Sequence, residues 1–356
     1  MMTKLLEHPL YKGDLAYAAG LALPWDRLRG KKILITGASG LIGSFFIDVL
    51  MKQNREKNLC CKIYALGRGQ AVGKERFAEY WDSPYFVFLP HDINLPLDGK
   101  VDEEFAYIFH LASNTHPVVY AQHPISTVTT NILGTEHLLN YAACHGAGRF
   151  VFASSNEIYG ENRGDAEFFD EAYCGYLDCN TLRAGYPESK RCGEALCQAY
   201  RQEKGIDVVI PRFTRSYGPT MRIMDTKAVS QFIRNGVKGE DIVLKSEGKQ
   251  YYSYTYAADA VAGLLHVMFE GESGEAYNIA DSRSDIALKD LAGVIAEVCG
   301  TKVVFELPDA VERAGYSTAT KARLDGTKIR RLGWEMKYDI PAGIERTIQI
   351  LRSTMR

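Results

Sequence analysis

No long apolar run opens this chain, no two cysteines stand in a C-x-x-C pair, and neither sign of charge dominates. Each absence closes off a class of function. The first twenty residues, Met1 to Gly20, carry Lys4, Glu7, His8, Lys12 and Asp14 among their apolar neighbours. They read as neither a signal peptide nor a membrane span, which sets the expectation of a cytoplasmic protein with no membrane partner. A formal net charge of -2 over 356 residues gives no electrostatic case for nucleic acid. The eight cysteines (Cys60, Cys61, Cys144, Cys174, Cys179, Cys192, Cys197 and Cys299) do not cluster with histidine, so a reduced compartment and no bound metal are expected. Cys192 and Cys197 are expected as buried thiols. Internal repeats and low-complexity segments are absent too, and what remains is a partner of small-molecule size.

What the chain has is 46% hydrophobic residues, enough for a sizeable α/β core. Lys32 to Thr36 is a β-branched run leading into Gly37-Ala38-Ser39-Gly40-Leu41-Ile42-Gly43, and Ser44 to Leu50 then reads as an apolar helix. A strand, a glycine turn and a helix in that order form a dinucleotide-binding unit: glycines let the backbone approach a pyrophosphate, and the helix start offers free N–H groups. The spacing is G-x-x-G-x-x-G rather than G-x-G-x-x-G. A second strand, Lys62 to Leu66, ends at Gly67 and Arg68, where an acidic residue would hold the ribose hydroxyls of NAD. An arginine there makes NADP an alternative to NAD, unless Arg68 stacks on the adenine or faces water.

Further strands are expected at Tyr85 to Leu89, Ala106 to His110, Phe150 to Ser154 and Val208 to Ile210, with helices at Asn131 to Ala143 and Tyr186 to Glu203. Ligands sit beyond the carboxyl ends of such parallel strands, so Asp92, Ile93, Leu111, Ala112 and Ser113 should converge on the glycine turn. The expected fold is a Rossmann-type doubly wound parallel sheet with a smaller, interleaved C-terminal substrate-binding lobe. Residues 1–30 form an extension containing a helix from Asp14 to Leu23, stopped by Pro24. The dinucleotide-binding domain spans 31–210, with a return segment at about 251–275, and 211–356 form mainly the second lobe, with helices at Thr226 to Asn235, Leu288 to Val298 and Pro341 to Leu351.

Chemistry concentrates in two stretches, Ser154-Ser155-Asn156-Glu157 and Tyr186-Pro187-Glu188-Ser189-Lys190. A tyrosine and a lysine four apart on a helix share one face. A free phenol titrates near 10, and lowering that by ~3 units takes about 4 kcal/mol of selective help for the phenolate. One cation about 4 Å away at an effective dielectric of ~20 supplies roughly that. Tyr186, aided by Lys190, could then take a proton from a sugar hydroxyl.

With these residues in place, the chain resembles the extended short-chain dehydrogenase/reductase family, also called the NAD-dependent epimerase/dehydratase family. The likeness runs from about Lys31 to the last helix. It rests on TGASGLIG (Thr36 to Gly43), HLAS (His110 to Ser113), TNILGT (Thr130 to Thr135), SSNEIYG (Ser154 to Gly160) and YPESK (Tyr186 to Lys190) in order. Within the family it looks most like the UDP-glucuronate decarboxylases, through His110 to Pro124, Asp170 to Arg191 and Gly218 to Ile233.

The resemblance implies Ser155, Tyr186 and Lys190 as the oxidising triad and Glu157 as an extra acid/base group. For the cofactor it implies Gly37, Ser39, Gly40, Leu41, Ile42, Gly43, Asn131 and Ser154 with the strand-end residues above. For a nucleotide-sugar it implies Tyr120, Asn156, Arg215, Lys227 and Tyr252, with Lys227 gripping the diphosphate. The chain departs from the family's decarboxylases where Tyr252 and Thr220 replace arginines and Arg215 replaces an asparagine. A homodimer through the helices beside the fifth strand is the family-level expectation.

The implied activity is a lyase with an internal redox cycle, decarboxylating UDP-glucuronate. A 4,6-dehydratase of the dTDP-glucose type is the alternative, although Asn156 stands where those enzymes have an aspartic acid. A nucleotide-sugar 4-epimerase needs no Glu157. From a different class comes a non-catalytic dinucleotide-binding sensor, which would carry a degraded base, whereas Tyr186, Lys190 and Ser155 are all present.

Overall fold

The computed structural model describes residues 2–115, 122–222, 225–306 and 320–354. Two N-terminal helices, α1 (Met2–Glu7) and α2 (Pro9–Ala19), precede strands β1 (Lys32–Thr36), β2 (Lys62–Gly67), β3 (Phe86–Pro90), β4 (Tyr107–His110) and β5 (Arg149–Phe152). Helices α3 (Leu41–Lys57), α4 (Gln70–Arg76) and α5 (Pro124–His145) lie between β1 and β2, β2 and β3, and β4 and β5. A two-residue strand β6 (Ser154–Ser155) and helix α6 (Gly185–Lys204) lead to β7 (Val208–Phe213). The second part of the chain holds β8 (Arg215–Tyr217), α7 (Ala228–Lys238), β9 (Ile242–Leu244), β10 (Tyr251–Tyr256), α8 (Ala257–Glu270), β11 (Ala276–Ile279) and β12 (Asp285–Ala287). It ends with α9 (Leu288–Cys299), β13 (Val303–Phe305), β14 (Lys321–Ala322), α10 (Thr327–Arg330) and α11 (Ile340–Thr354).

The large sheet runs β11-β7-β5-β4-β1-β2-β3, with β6 beside β7. Every pairing in it is parallel. Alternate residues of its strands feed two apolar layers, as the pleat requires. Ile33, Ile35, Ile63 and Val209 pack with Phe46 of α3 and Leu264 of α8. Leu34, Leu66, Ile108 and Ile210 pack with Leu138 of α5 and Cys197 of α6. Each such side chain removed from water stabilises the fold by ~1.5–3 kcal/mol. The strand order reverses between β1 and β4, and a ligand crevice forms at such a point.

A smaller sheet runs β12-β10-β14 with β8 beside β10, and β13 pairs with β9. Helix α8 brings the chain back onto the large sheet. Its residues from Ala257 to Phe269 are all buried, Asp259 and His266 among them. The return continues through β11, which joins β7 as an outer strand. Strand β7 also runs past Pro211, where the sequence suggested an end. Its partner changes from β5 at Val208 and Val209 to β6 at Arg212 and Phe213, so the proline falls in the break between two partners.

The N-terminal extension packs on the large domain, but its helix starts earlier than expected, at Pro9 rather than Asp14. His8 caps it by accepting from the Leu10 N–H at 3.2 Å, Pro9 takes the first turn and Gly20 ends it. Its buried face is polar as well as apolar. The Tyr11 hydroxyl donates to Asp48 of α3 at 2.5 Å, Tyr256 donates to Asp14 at 2.6 Å, and Arg346 of α11 pairs with Asp14 at 2.6 Å. Cys197 is buried as expected, whereas Cys192 is only half-buried.

Candidate active site

The glycine turn closes tightly because its neighbours leave no room for side chains. Gly37 has φ +65°, and a Cβ there would lie 2.7 Å from the Leu111 carbonyl and the Ala112 nitrogen; one on Gly43 would lie 2.6 Å from the Gly37 oxygen. The strand ends behind the turn are pinned. Ala112 N–H donates to the Thr36 hydroxyl at 3.1 Å, and that hydroxyl lies 3.1 Å from Nδ1 of His110. Helix α3 begins at Gly40 with no side-chain cap, so its first N–H groups are available to a pyrophosphate. This glycine cradle fits a dinucleotide. We expect Gly37→Ala to abolish measurable NAD binding and to lower stability by ~1–3 kcal/mol, readable by cofactor titration and thermal melting.

A cleft of about 520 Å3 joins this turn to the second lobe, lined by Gly37, Gly40, Leu41, Ile42 and Gly43 on one side and by Arg215, Lys227 and Tyr252 on the other. Between them lie Leu111, Ser113, Ser154, Ser155, Asn156, Glu157, Tyr186 and Lys190. Ser155 ends β6 and caps the short turn Asn156–Tyr159, its hydroxyl accepting from the Glu157 N–H at 3.2 Å. Tyr186 stands in the first turn of α6, with Lys190 one turn on. The Ser155 and Ser113 side chains favour its ionised form.

Electrostatically the phenol departs from expectation. Burial pushes it above its ordinary value and Glu157 adds to that, against Ser155, Arg183 and Ser113 pulling down. Lys190 does not lead these influences. Its ammonium donates to the Ala153 carbonyl at 2.8 Å and lies 4.8 Å from the Phe152 ring centre. Burial pulls it down to about 8, partly offset by Glu194. The sequence predicts a lysine charge acting on the phenol through a medium of moderate dielectric. In the folded protein both groups are desolvated, and desolvation penalises both charged forms.

Glu157 is clasped by Arg183, whose Nη2 lies 2.7 Å from Oε2. Arg183 was not singled out in the sequence, although its place one turn before Tyr186 was a usable signal. A smaller cavity of about 230 Å3 shares Asn156, Glu157, Arg183 and Arg215 with the cleft.

Other expected residues stand behind or beside the cleft wall. Asn131 is fully buried, accepting from Ser113 at 2.8 Å and donating to Ser189 at 2.9 Å. Asp92 binds the Asn94 N–H at 3.0 Å, Ile93 packs in the core, and Ala112 backs Gly37. Arg68 is exposed at the end of β2. Ser39 accepts from Arg222 at 2.8 Å. Thr220, standing for a family arginine, donates to the Leu41 carbonyl at 2.8 Å. The segment after β8 therefore reaches the glycine turn through Thr220 and Arg222. Lys227 sits at the start of α7 with Asp225 3.9 Å away. Tyr120 lies outside the described residues. Among the described residues no group of His, Cys, Asp and Glu could hold a metal ion, and no helix is long and apolar enough to cross a membrane.

A doubly wound sheet with a glycine turn at its switch point and a Ser, Tyr and Lys set in the adjoining cleft defines the extended short-chain dehydrogenase/reductase class. Residues 33–280 match the NAD dependent epimerase/dehydratase family, and the chain belongs to it. Among its relatives is UDP-glucuronic acid decarboxylase 6 of Arabidopsis thaliana, 30% identical over 88% of this chain and 86% of that protein. UDP-glucuronic acid decarboxylase 1 of Xenopus tropicalis is 31% identical over 91% of this chain and 73% of its own length. Of solved structures, a dTDP-glucose 4,6-dehydratase double mutant from Streptomyces venezuelae with NAD bound superposes with a TM-score of 0.77 at 26% identity, covering 90% of this chain and 97% of that one. The UDP-glucuronic acid 4-epimerase of Bacillus cereus, TM-score 0.78 at 21% identity over 90% of this chain and 99% of that one, shares the fold.

Proposed function

We propose that this protein decarboxylates UDP-glucuronate, using bound NAD as a cofactor that is regenerated in each cycle. The observation that carries this reading is the Glu157 carboxylate, lining the cleft two residues after Ser155 and held there by Arg183. NAD supplies the hydride acceptor when bound. Gly37, Gly40, Gly43 and the start of α3 would hold its pyrophosphate, and Lys190, lining the same cleft, would serve its nicotinamide end. At the sugar, Tyr186 takes the proton from the 4-hydroxyl and later returns it, while Ser155 hydrogen-bonds the same oxygen. With C4 a ketone, the C5–C6 bond can break, its electron pair passing into the enolate as CO2 leaves. Glu157 relays the proton that C5 then takes up. Lys227 and the N–H groups at the start of α7 receive the diphosphate.

The test is incubation with NAD and, separately, UDP-glucuronate, dTDP-glucose and UDP-glucose, reading products by mass. UDP-glucuronate losing the mass of CO2 supports decarboxylation. Loss of water from dTDP-glucose points to the dehydratase, and an isomer of unchanged mass seen by NMR points to the epimerase. Glu157→Gln is expected to slow decarboxylation ~10²-fold, whereas an epimerase would keep most of its rate.

Two features support finer readings. Ile125 and Leu133 of α5 are exposed, in keeping with a homodimer formed through α5 and α6 of two cytoplasmic chains. Arg68 also lies near Arg222, whose charge is disfavoured by burial and then by Arg68, so a 2′-phosphate would be welcome there and NADP is the second cofactor reading.

A further inference from the structure

Among the described residues, Arg215 is a cation lining the cleft with no carboxylate paired to it. Its guanidinium carbon lies 3.5 Å from the centre of the Tyr252 ring, a cation–π stack that holds the planar group in place. The stack follows from strand pairing: Arg215 of β8 stands opposite Tyr254 of β10, and Tyr252 is the next residue on that face. No carboxylate pairs with Arg215 among the described residues, and its buried Nη1 has no hydrogen-bond partner among them. Glu157, which lines the same cleft, is paired with Arg183. Lys227, by contrast, has Asp225 nearby.

Position narrows the missing anion. Arg215 lines both the cleft and the smaller cavity, together with Asn156, Glu157 and Arg183. Lys227 lines the cleft alone. Arg215 therefore belongs to the end of the site that holds Glu157, where the sugar reacts, and not to the diphosphate end. A guanidinium offers two parallel N–H donors that match a carboxylate.

We propose that Arg215, braced by Tyr252, is the specificity residue that binds the sugar carboxylate; this rests on the decarboxylase reading. As the C5–C6 bond breaks, its electrons move into the enolate and the carboxylate becomes neutral CO2. The Arg215 contact is thus strongest before reaction and weakens along it, so it contributes to binding and not to rate.

The test compares wild type, Arg215→Gln and Arg215→Lys, each loaded with NAD. Titration calorimetry with UDP-glucuronate, UDP-glucose and UDP is combined with steady-state kinetics on UDP-glucuronate. Arg215→Gln is expected to weaken UDP-glucuronate about 30-fold or more, with UDP and UDP-glucose within about 2-fold and kcat not reduced. Arg215→Lys, which keeps the charge and loses the fork, recovers part of the affinity, and its melting temperature controls for folding. Equal weakening of all three ligands, or a fall in kcat at unchanged KM, overturns the assignment, as does a wild type that binds UDP-glucuronate no better than UDP-glucose. Failure of decarboxylation itself is read separately: a selective loss of UDP-glucuronate binding in Arg215→Gln without CO2 release from wild type keeps the carboxylate site and removes the reaction.

Discussion

Tyr186→Phe is expected to lower turnover by ~10³-fold or more while leaving NAD binding intact. The change deletes one oxygen from a fully formed wall. The two serines that favour the phenol's ionised form keep partners of their own: Ser113 still donates to Asn131 at 2.8 Å, and Ser155 still accepts from the Glu157 N–H at 3.2 Å. The stability cost should therefore stay near ~1 kcal/mol, far too little to explain a large loss of rate. Burial holds the phenol above its ordinary value, so it must give up its own proton before it can take one from the sugar 4-hydroxyl. Single-turnover formation of product, followed by mass with a parallel melting curve, separates chemistry from folding. A variant that kept a tenth of wild-type turnover would remove Tyr186 from the role of base.

The largest effect on stability should come from a place remote from the cleft. Asp48 of α3 is fully buried, accepts the Tyr11 hydroxyl and pairs with Arg76 at 2.5 Å; the Arg76 side chain is only 4% exposed. Asp48→Ala would leave a guanidinium buried without its counter-charge and a buried hydroxyl without its acceptor. Breaking such a pair from one side costs ~3–5 kcal/mol, a large share of the ~5–15 kcal/mol that holds a domain together. Removing both partners should cost less than removing one, so Asp48→Ala with Arg76→Met is expected to recover part of the loss. Urea denaturation of the four proteins measures this. Additive losses would mean that the pair does not act as a unit.

The large sheet was legible because its strands are short, apolar runs followed by ligand-binding turns, and β1 with its glycine turn is the clearest of them. β11 was not, since Ala276 to Ile279 is too short to show a period and earns its place only by pairing with β7. Ser155, Glu157, Tyr186 and Lys190 could be picked out as one set, and the cleft brings them together. Their electrostatics could not be read in the same way, because desolvation depends on what surrounds a group in space. The same limit hid the Arg183 clasp on Glu157 and the Arg215 stack on Tyr252, each joining residues far apart in the chain.

Two of the chain's passages between the large sheet and the smaller one are neighbours, after β7 and after β10, and a third runs from β11 to β12. At the neighbouring two the Thr214 and Thr255 hydroxyls meet at 2.5 Å, and β8 lies parallel to β10. Strands fastened side by side in this way cannot slide or twist past each other without tearing the ladder. Arg215 and Tyr252 stand on the two strands of that ladder, so the guanidinium keeps one bearing toward the cleft instead of having to be aimed anew at each encounter.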